Sequence, residues 1–192
     1  MLKQLLYSDL ARQAGLGCRP IVRPSFPRFV RHLLHHRFLP IVLCRISRAA
    51  MLGRIPVLPG LLTYLNIVLF GLEVSPRCEI GPGIFFPHPC GTVVGAWRIG
   101  SNATIFQGVT LGAKELDMHF DFRLRPNIGD NVVLCAGSKI LGAIRIGDNV
   151  TVGANSVVVD SVEDESTVVG IPARRVSKER HRNNDVETAA LR

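Results

Sequence analysis

The stretch Phe85-Phe86-Pro87-His88-Pro89-Cys90-Gly91-Thr92-Val93-Val94-Gly95 sets one ionisable ring between two prolines inside an apolar run. An imidazole titrates near neutrality, so it can take a proton from a hydroxyl and return it within one turnover. Cys90, two positions on, adds a thiol that a histidine could activate into an acyl-carrying nucleophile. The plainer readings are a satisfied buried ring at a bulge for His88 and a packing residue for Cys90. His32, His35 and His36 have i, i+3, i+4 spacing, which groups three imidazoles on one helix face. No carboxylate or cysteine cluster accompanies them, so a solvated face is expected there rather than a metal site.

The elements that must position these residues show in a six-residue rhythm. Ile128, Leu134, Ile140, Ile146, Val152 and Val158 recur at that interval, as do Val93, Ile99, Ile105 and Leu111, and Val74, Ile80 and Phe86. A helix repeats every 3.6 residues and a hairpin meander needs less regular turn signals. A fixed short period predicts a solenoid, the hexapeptide parallel β-helix. One aliphatic per unit points inward, and Gly, Ala, Ser or Asn at the corners tolerates tight or left-handed backbone. The rhythm slips twice. Phe86 to Val93 spans seven residues and contains His88, and Leu111 to Ile128 spans seventeen and contains His119. Such breaks are where loops leave a rigid scaffold, and loops on scaffolds carry function.

Residues 1 to about 71 read differently. Apolar positions at helical spacing predict helices over "LKQLLYSDLARQ" and "FPRFVRHLLHHRFLPIVLCRISRAAMLG", with Pro40 breaking or kinking the second. "IPVLPGLLTYLNIVLFGL" is strongly apolar, but its prolines, Gly60 and Asn66 make it a poor membrane span. It is expected to pack on the domain that follows rather than lie on a membrane surface. The whole excess of positive charge sits in this quarter. Residues 1–54 hold ten Lys or Arg and one acid, Asp9, whereas the rest of the chain is nearly neutral. That charge favours an anionic surface or substrate, and no recognition motif or interleaved aromatics support nucleic acid. Apolar residues at 47% against 20% charged exclude disorder. Five scattered cysteines without a C-x-x-C pair fit a reducing cytoplasm, and the N-terminus lacks the order of a signal peptide.

The segments "GLEVSPRCEIGPGIFFPHPCGTVVG", "IFQGVTLGA", "RPNIGDNVVLCAGSKILGAIRIGDNVTVGANSVVVDSV" and "VVGIPARRV" resemble, in order, the serine acetyltransferase branch of the hexapeptide acyltransferases. The likeness looks closest to members associated with surface-polysaccharide O-acetylation. It implies a mainly β fold: a left-handed parallel β-helix over 72–176, an N-terminal helical segment over 1–71, and a polar tail over 177–192. It also implies a cytoplasmic homotrimer that uses acetyl-CoA as acetyl donor and needs no metal. By the same resemblance His88 matches the catalytic base and Glu73 the carboxylate that orients it. Gly112, Ala113, Ala136 and Ala154 match positions that let the pantetheine arm approach the backbone. Lys139, Arg174 and Arg175 are candidates for the CoA phosphates.

Two positions depart from that branch. Pro87 stands where an acidic residue precedes the catalytic histidine, and Leu124-Arg125-Pro126 stands where the branch has Arg-His-Pro. Arg125 is therefore taken as a substrate-binding residue, and the acceptor is expected to be a sugar hydroxyl of a surface polysaccharide or its lipid-linked precursor. The basic segment would then allow peripheral contact at the inner membrane face. L-Serine is the alternative acceptor, and a non-catalytic β-helix scaffold is a third reading.

Overall fold

The structure is a computed structural model and describes residues 1–15 and 35–176. His32 and the expected polar tail lie outside the described residues. From Leu72 onward the backbone winds in stacked three-sided coils. Strands β1 (Leu72–Val74), β3 (Thr92–Val94), β6 (Thr110–Gly112), β9 (Lys139–Leu141) and β12 (Val157–Val158) stack in parallel as a first face. The second face holds β2 (Glu79–Ile80), β4 (Arg98–Ile99), β7 (Asn127–Ile128) and β10 (Arg145–Ile146). The third holds β5 (Thr104–Ile105), β8 (Val133–Leu134), β11 (Thr151–Val152) and β13 (Thr167–Gly170), on which β14 (Ala173–Val176) folds back antiparallel. Paired residues Ile128 and Ile146, Leu134 and Val152, and Ile140 and Val158 are each eighteen positions apart, three six-residue units per coil.

The inward rows are the expected ones with one correction. Ile99, Ile105, Leu111, Leu134, Ile140, Ile146 and Val152 are fully buried in one continuous core. Val93, however, is 37% exposed, and its neighbour Val94 is the residue that points inward, in register with Val74 and Leu111. The prolines around His88 lengthen that side by one more residue than the rhythm alone suggested, and side-chain alternation then exchanges the two valines.

The corner between the second and third faces explains the recurring Ile-Gly. Gly81, Gly100, Gly129 and Gly147 follow the inward residue there, and a Cβ on Gly100 would stand 2.6 Å from the Gly129 carbonyl oxygen. Two positions later Asn102, Asn131 and Asn149 adopt left-handed backbone and pass side-chain hydrogen bonds from coil to coil.

Three helices precede the coils among the described residues: α1 (Leu2–Gly15), α2 (Leu39–Leu52) and α3 (Leu58–Phe70). Pro40, expected to break or kink a helix, lies in the first turn of α2, where its missing N–H has no intrahelical partner to lose. The apolar α3 packs by one face on α2, where buried Asn66 donates to the Pro40 carbonyl at 3.2 Å. Its other face leaves Leu61, Tyr64, Leu65, Val68 and Leu69 exposed. Gly71 closes α3 in a left-handed conformation and turns the chain into β1. Among the described residues no helix is long and apolar enough to cross a membrane.

One buried ion pair fastens helices to coils. Arg45 of α2 binds Asp9 of α1 through two hydrogen bonds of 2.9 and 3.0 Å, and both side chains are almost wholly out of solvent. Arg45 also donates to the Ile80 and Gly81 carbonyls, while Asp9 accepts the Gly83 and Ile84 amides at 2.8 and 3.1 Å. Burial pushes the Asp9 carboxyl above its ordinary value, against the pull of Arg45 and the two amides. Removing one partner strands the other charge. Asp9→Ala is expected to cost about 3–5 kcal/mol, whereas Asp9→Ala with Arg45→Met should recover part of the loss. In thermal unfolding the single variant should melt roughly 10 °C lower. An unchanged midpoint would contradict this role. At the glycine corner, Gly100→Ala must displace backbone and should cost about 1–3 kcal/mol, measured the same way.

Candidate active site

His88 owes its position to what surrounds it. Ile84, Phe85 and Phe86 are buried and anchor the end of the first coil, with Phe85 bridged to Thr104 of β5. Pro87 and Pro89 then restrict the backbone, and Gly91, at φ +69°, turns it into β3 while its N–H bonds the Gly71 carbonyl at 2.9 Å. The imidazole stands at the corner between the third and first faces and is exposed in the single chain. The buried-ring reading is therefore removed. Cys90 is also exposed rather than packed. Burial pushes the Cys44 and Cys78 thiols up to about 12, and of the four described cysteines Cys90 alone is exposed.

Glu73 is the central residue of β1. It pairs with Val93 across the stack and points outward from the first face, exposed. The carboxylate thus lies on one rung while His88 leads into the rung stacked on it. Among the described residues they share no hydrogen bond, and catalytic contacts are often long before substrate binds.

The corner that carries His88 continues up the solenoid as a column of Cys90, Gln107, Ala136 and Ala154. Its carbonyls accept the next coil's amides, as in Gly108 to Cys90 at 3.1 Å and Asn155 to Ala136 at 2.9 Å. Ala136 and Ala154 keep the backbone of this column approachable. Gly112 and Ala113 lie instead at the opposite edge of the first face, where a Cβ on Gly112 would meet nothing within 4 Å. The four residues expected to line one arm thus form two pairs, separated by the width of a face. Lys139 is committed to the corner column, with its ammonium on the Gly108 and Gly137 carbonyls at 2.5 and 3.0 Å. Arg174 and Arg175 are exposed and face Asp160 and Glu163 at 3.5 and 3.1 Å.

The long break after Leu111 is a folded segment, 113–126, at the corner between the first and second faces. Arg125 does not reach into open solvent. Nε and Nη2 hold the Asp117 carboxylate at 3.0 and 2.8 Å, and Nη1 donates to the Gly95 carbonyl at 2.8 Å. Desolvation pushes the Asp117 carboxyl up. The Arg125 hydrogen bond and the His119 and Asp121 amides outweigh it and hold the group below its ordinary value. His119 is exposed and donates its backbone N–H to Asp117. His35 and His36 stack on each other, exposed, and among the described residues no three His, Cys, Asp or Glu converge to hold a metal ion.

Sequence reasoning missed Asp117 and Phe120 as partners of Arg125, and Asp9 as the partner of Arg45. For Asp9 a signal was present: it is the lone acid among ten basic residues. For Asp117 none was, because no period links it to Arg125.

Known proteins resemble the chain along most of its length. The family described as bacterial transferase hexapeptide (six repeats) matches residues 125–160. The serine acetyltransferase of Synechococcus elongatus is 41% identical over 143 residues, which span 74% of this chain and 57% of that protein. The chain therefore spans little more than half the length of that curated relative. Soybean serine acetyltransferase complexed with serine superposes with a TM-score of 0.75 at 32% identity, covering 91% of this chain and 69% of that one. A serine acetyltransferase complexed with CoA gives 0.75 at 31% identity, with 91% and 69% covered. These likenesses bear out the left-handed parallel β-helix and the N-terminal helices.

They also correct the expected acceptor. A polysaccharide sugar is overturned by curated relatives, 41–47% identical, that are serine acetyltransferases, and the expected closeness to polysaccharide-associated members goes with it. The misleading signs were Pro87 and Leu124-Arg125-Pro126, and the Arg125 guanidinium is engaged within the loop itself. This chain belongs to the serine acetyltransferase family of hexapeptide-repeat transferases.

Proposed function

We propose that the chain transfers an acetyl group from acetyl-CoA to the hydroxyl of L-serine, with His88 as general base. The observation that carries this reading is an exposed imidazole at a corner lined with small residues, in a chain whose relatives are serine acetyltransferases. The His88 imidazole takes the serine hydroxyl proton as the oxygen attacks the thioester carbonyl carbon. Collapse of the tetrahedral adduct breaks the carbon–sulfur bond, and the imidazolium returns the proton to the departing thiolate. Glu73, one rung away, orients the ring and favours its charged form. A backbone N–H of the corner stabilises the oxyanion. No step passes through Cys90.

The two pairs of small residues fit CoA best between copies. Ala136 and Ala154 at one edge of a protomer face Gly112 and Ala113 at the other edge of its neighbour, as in a closed homotrimer. Residues 72–176 then carry the chemistry, and the described helices α1, α2 and α3 form a helical base. Free Cys44, Cys78, Cys90 and Cys135 suit a reducing, cytoplasmic setting. Peripheral membrane contact has the basic N-terminal segment and the exposed face of α3 in its favour and adds nothing for an amino-acid acceptor.

Thiol release with acetyl-CoA and L-serine tests the assignment of the base. His88→Ala should lower kcat by about 10²–10⁴ with native mass unchanged, and Glu73→Gln should lower it less. Undiminished turnover in His88→Ala would remove His88 from the mechanism.

A further inference from the structure

Segment 113–126 is tied down by more than a chance contact. Arg125 spends its hydrogen bonds inward: Nε and Nη2 on Asp117 Oδ2, Nη2 also on the Asp117 carbonyl at 3.3 Å, and Nη1 on Gly95. Its guanidinium lies 3.9 Å from the centroid of the Phe120 ring, and the Arg125 and Asp117 side chains are only 11% and 5% exposed. A Cβ on Gly95 would stand 2.8 Å from Arg125 Nη1, so the corner itself is shaped to admit the guanidinium. Two further ties act in the same sense. Arg77 Nη1 donates to the His119 carbonyl at 2.6 Å, and Phe122 lies 5.4 Å from Trp97, ring to ring.

A guanidinium has five donors and one charge. Here Asp117 neutralises the charge and the carbonyls and carboxylate occupy both ends of the fork. Little remains with which to read the carboxylate of an amino acid. The segment nevertheless begins at Ala113, next to Gly112 and beside the edge where the donor is placed, and its Leu116, Met118 and Phe122 stand exposed. We propose that Arg125 is a positioning residue that, with Asp117, latches segment 113–126 onto the Gly95 corner, and that the latched segment sets the binding of the acceptor. This rests on the serine acetyltransfer reading.

Trp97 is the only tryptophan of the chain and touches the segment through Phe122, so its fluorescence reports the latch without any turnover. Arg125→Gln and Asp117→Asn should each raise acrylamide quenching of Trp97. Each should also raise KM for L-serine about tenfold while KM for acetyl-CoA and native mass hold, because the paired residues act as one unit. The double variant should be no worse than either single one. Arg125→Lys should not rescue, since an ammonium lacks the planar fork. Unchanged quenching in both single variants would overturn the latch. So would a rise in serine KM for Arg125→Gln alone, which would make Arg125 a direct substrate contact. Equal losses for both substrates would reduce the pair to a structural role. If the wild-type chain does not turn over serine at all, the functional reading fails, and the quenching result still decides the latch.

Discussion

One aliphatic side chain in every six residues must point inward, and the coils must stack closely enough to bury it. Everything else in the molecule accommodates that requirement. Ile128, Leu134 and Ile140 are buried because each sits above and below a counterpart on the neighbouring coil. The backbone of one coil then comes so near the next that Gly81, Gly100, Gly129 and Gly147 have no room for a side chain. The core is a stack of nearest-neighbour contacts, so a local lengthening of one coil is absorbed at a corner without disturbing the rest.

That tolerance is what makes function affordable at two corners. At one, prolines and Gly91 lengthen the chain and hold His88 outside the core while Phe86 stays within it. At another, segment 113–126 departs after Leu111 and rejoins before Ile128 with both residues still in their rows. The groups proposed to carry the chemistry thus lie outside the buried rows of the scaffold. The buried Asp9–Arg45 pair plays the complementary part, since it locks the helical base against the first coil, from which Glu73 and His88 project.

The sequence made the solenoid legible because its period is set by backbone geometry, which repeats whatever the surface residues are. The inward rows could be named residue by residue, except where Val93 and Val94 exchange places beside the proline-rich corner. The roles proposed for His88 and Glu73 rest on resemblance, because nothing in their spacing requires the two to meet. The acceptor was misread for a specific reason. Pro87 and Leu124-Arg125-Pro126 depart from the branch's pattern and pointed to another acceptor, whereas Arg125 is held by an ion pair between residues eight positions apart in a segment without periodicity. Contacts of that kind depend on the path of a loop, which a one-dimensional pattern does not carry.

The central claim is acetyl transfer to serine, and product identity tests it most directly. The purified chain would be incubated with acetyl-CoA carrying a labelled acetyl group, L-serine and a panel of saccharides, and the labelled products resolved by mass spectrometry. The account predicts O-acetyl-L-serine formed in step with free CoA and no labelled saccharide. Label found on a sugar with serine untouched, or CoA released only by hydrolysis, would contradict it.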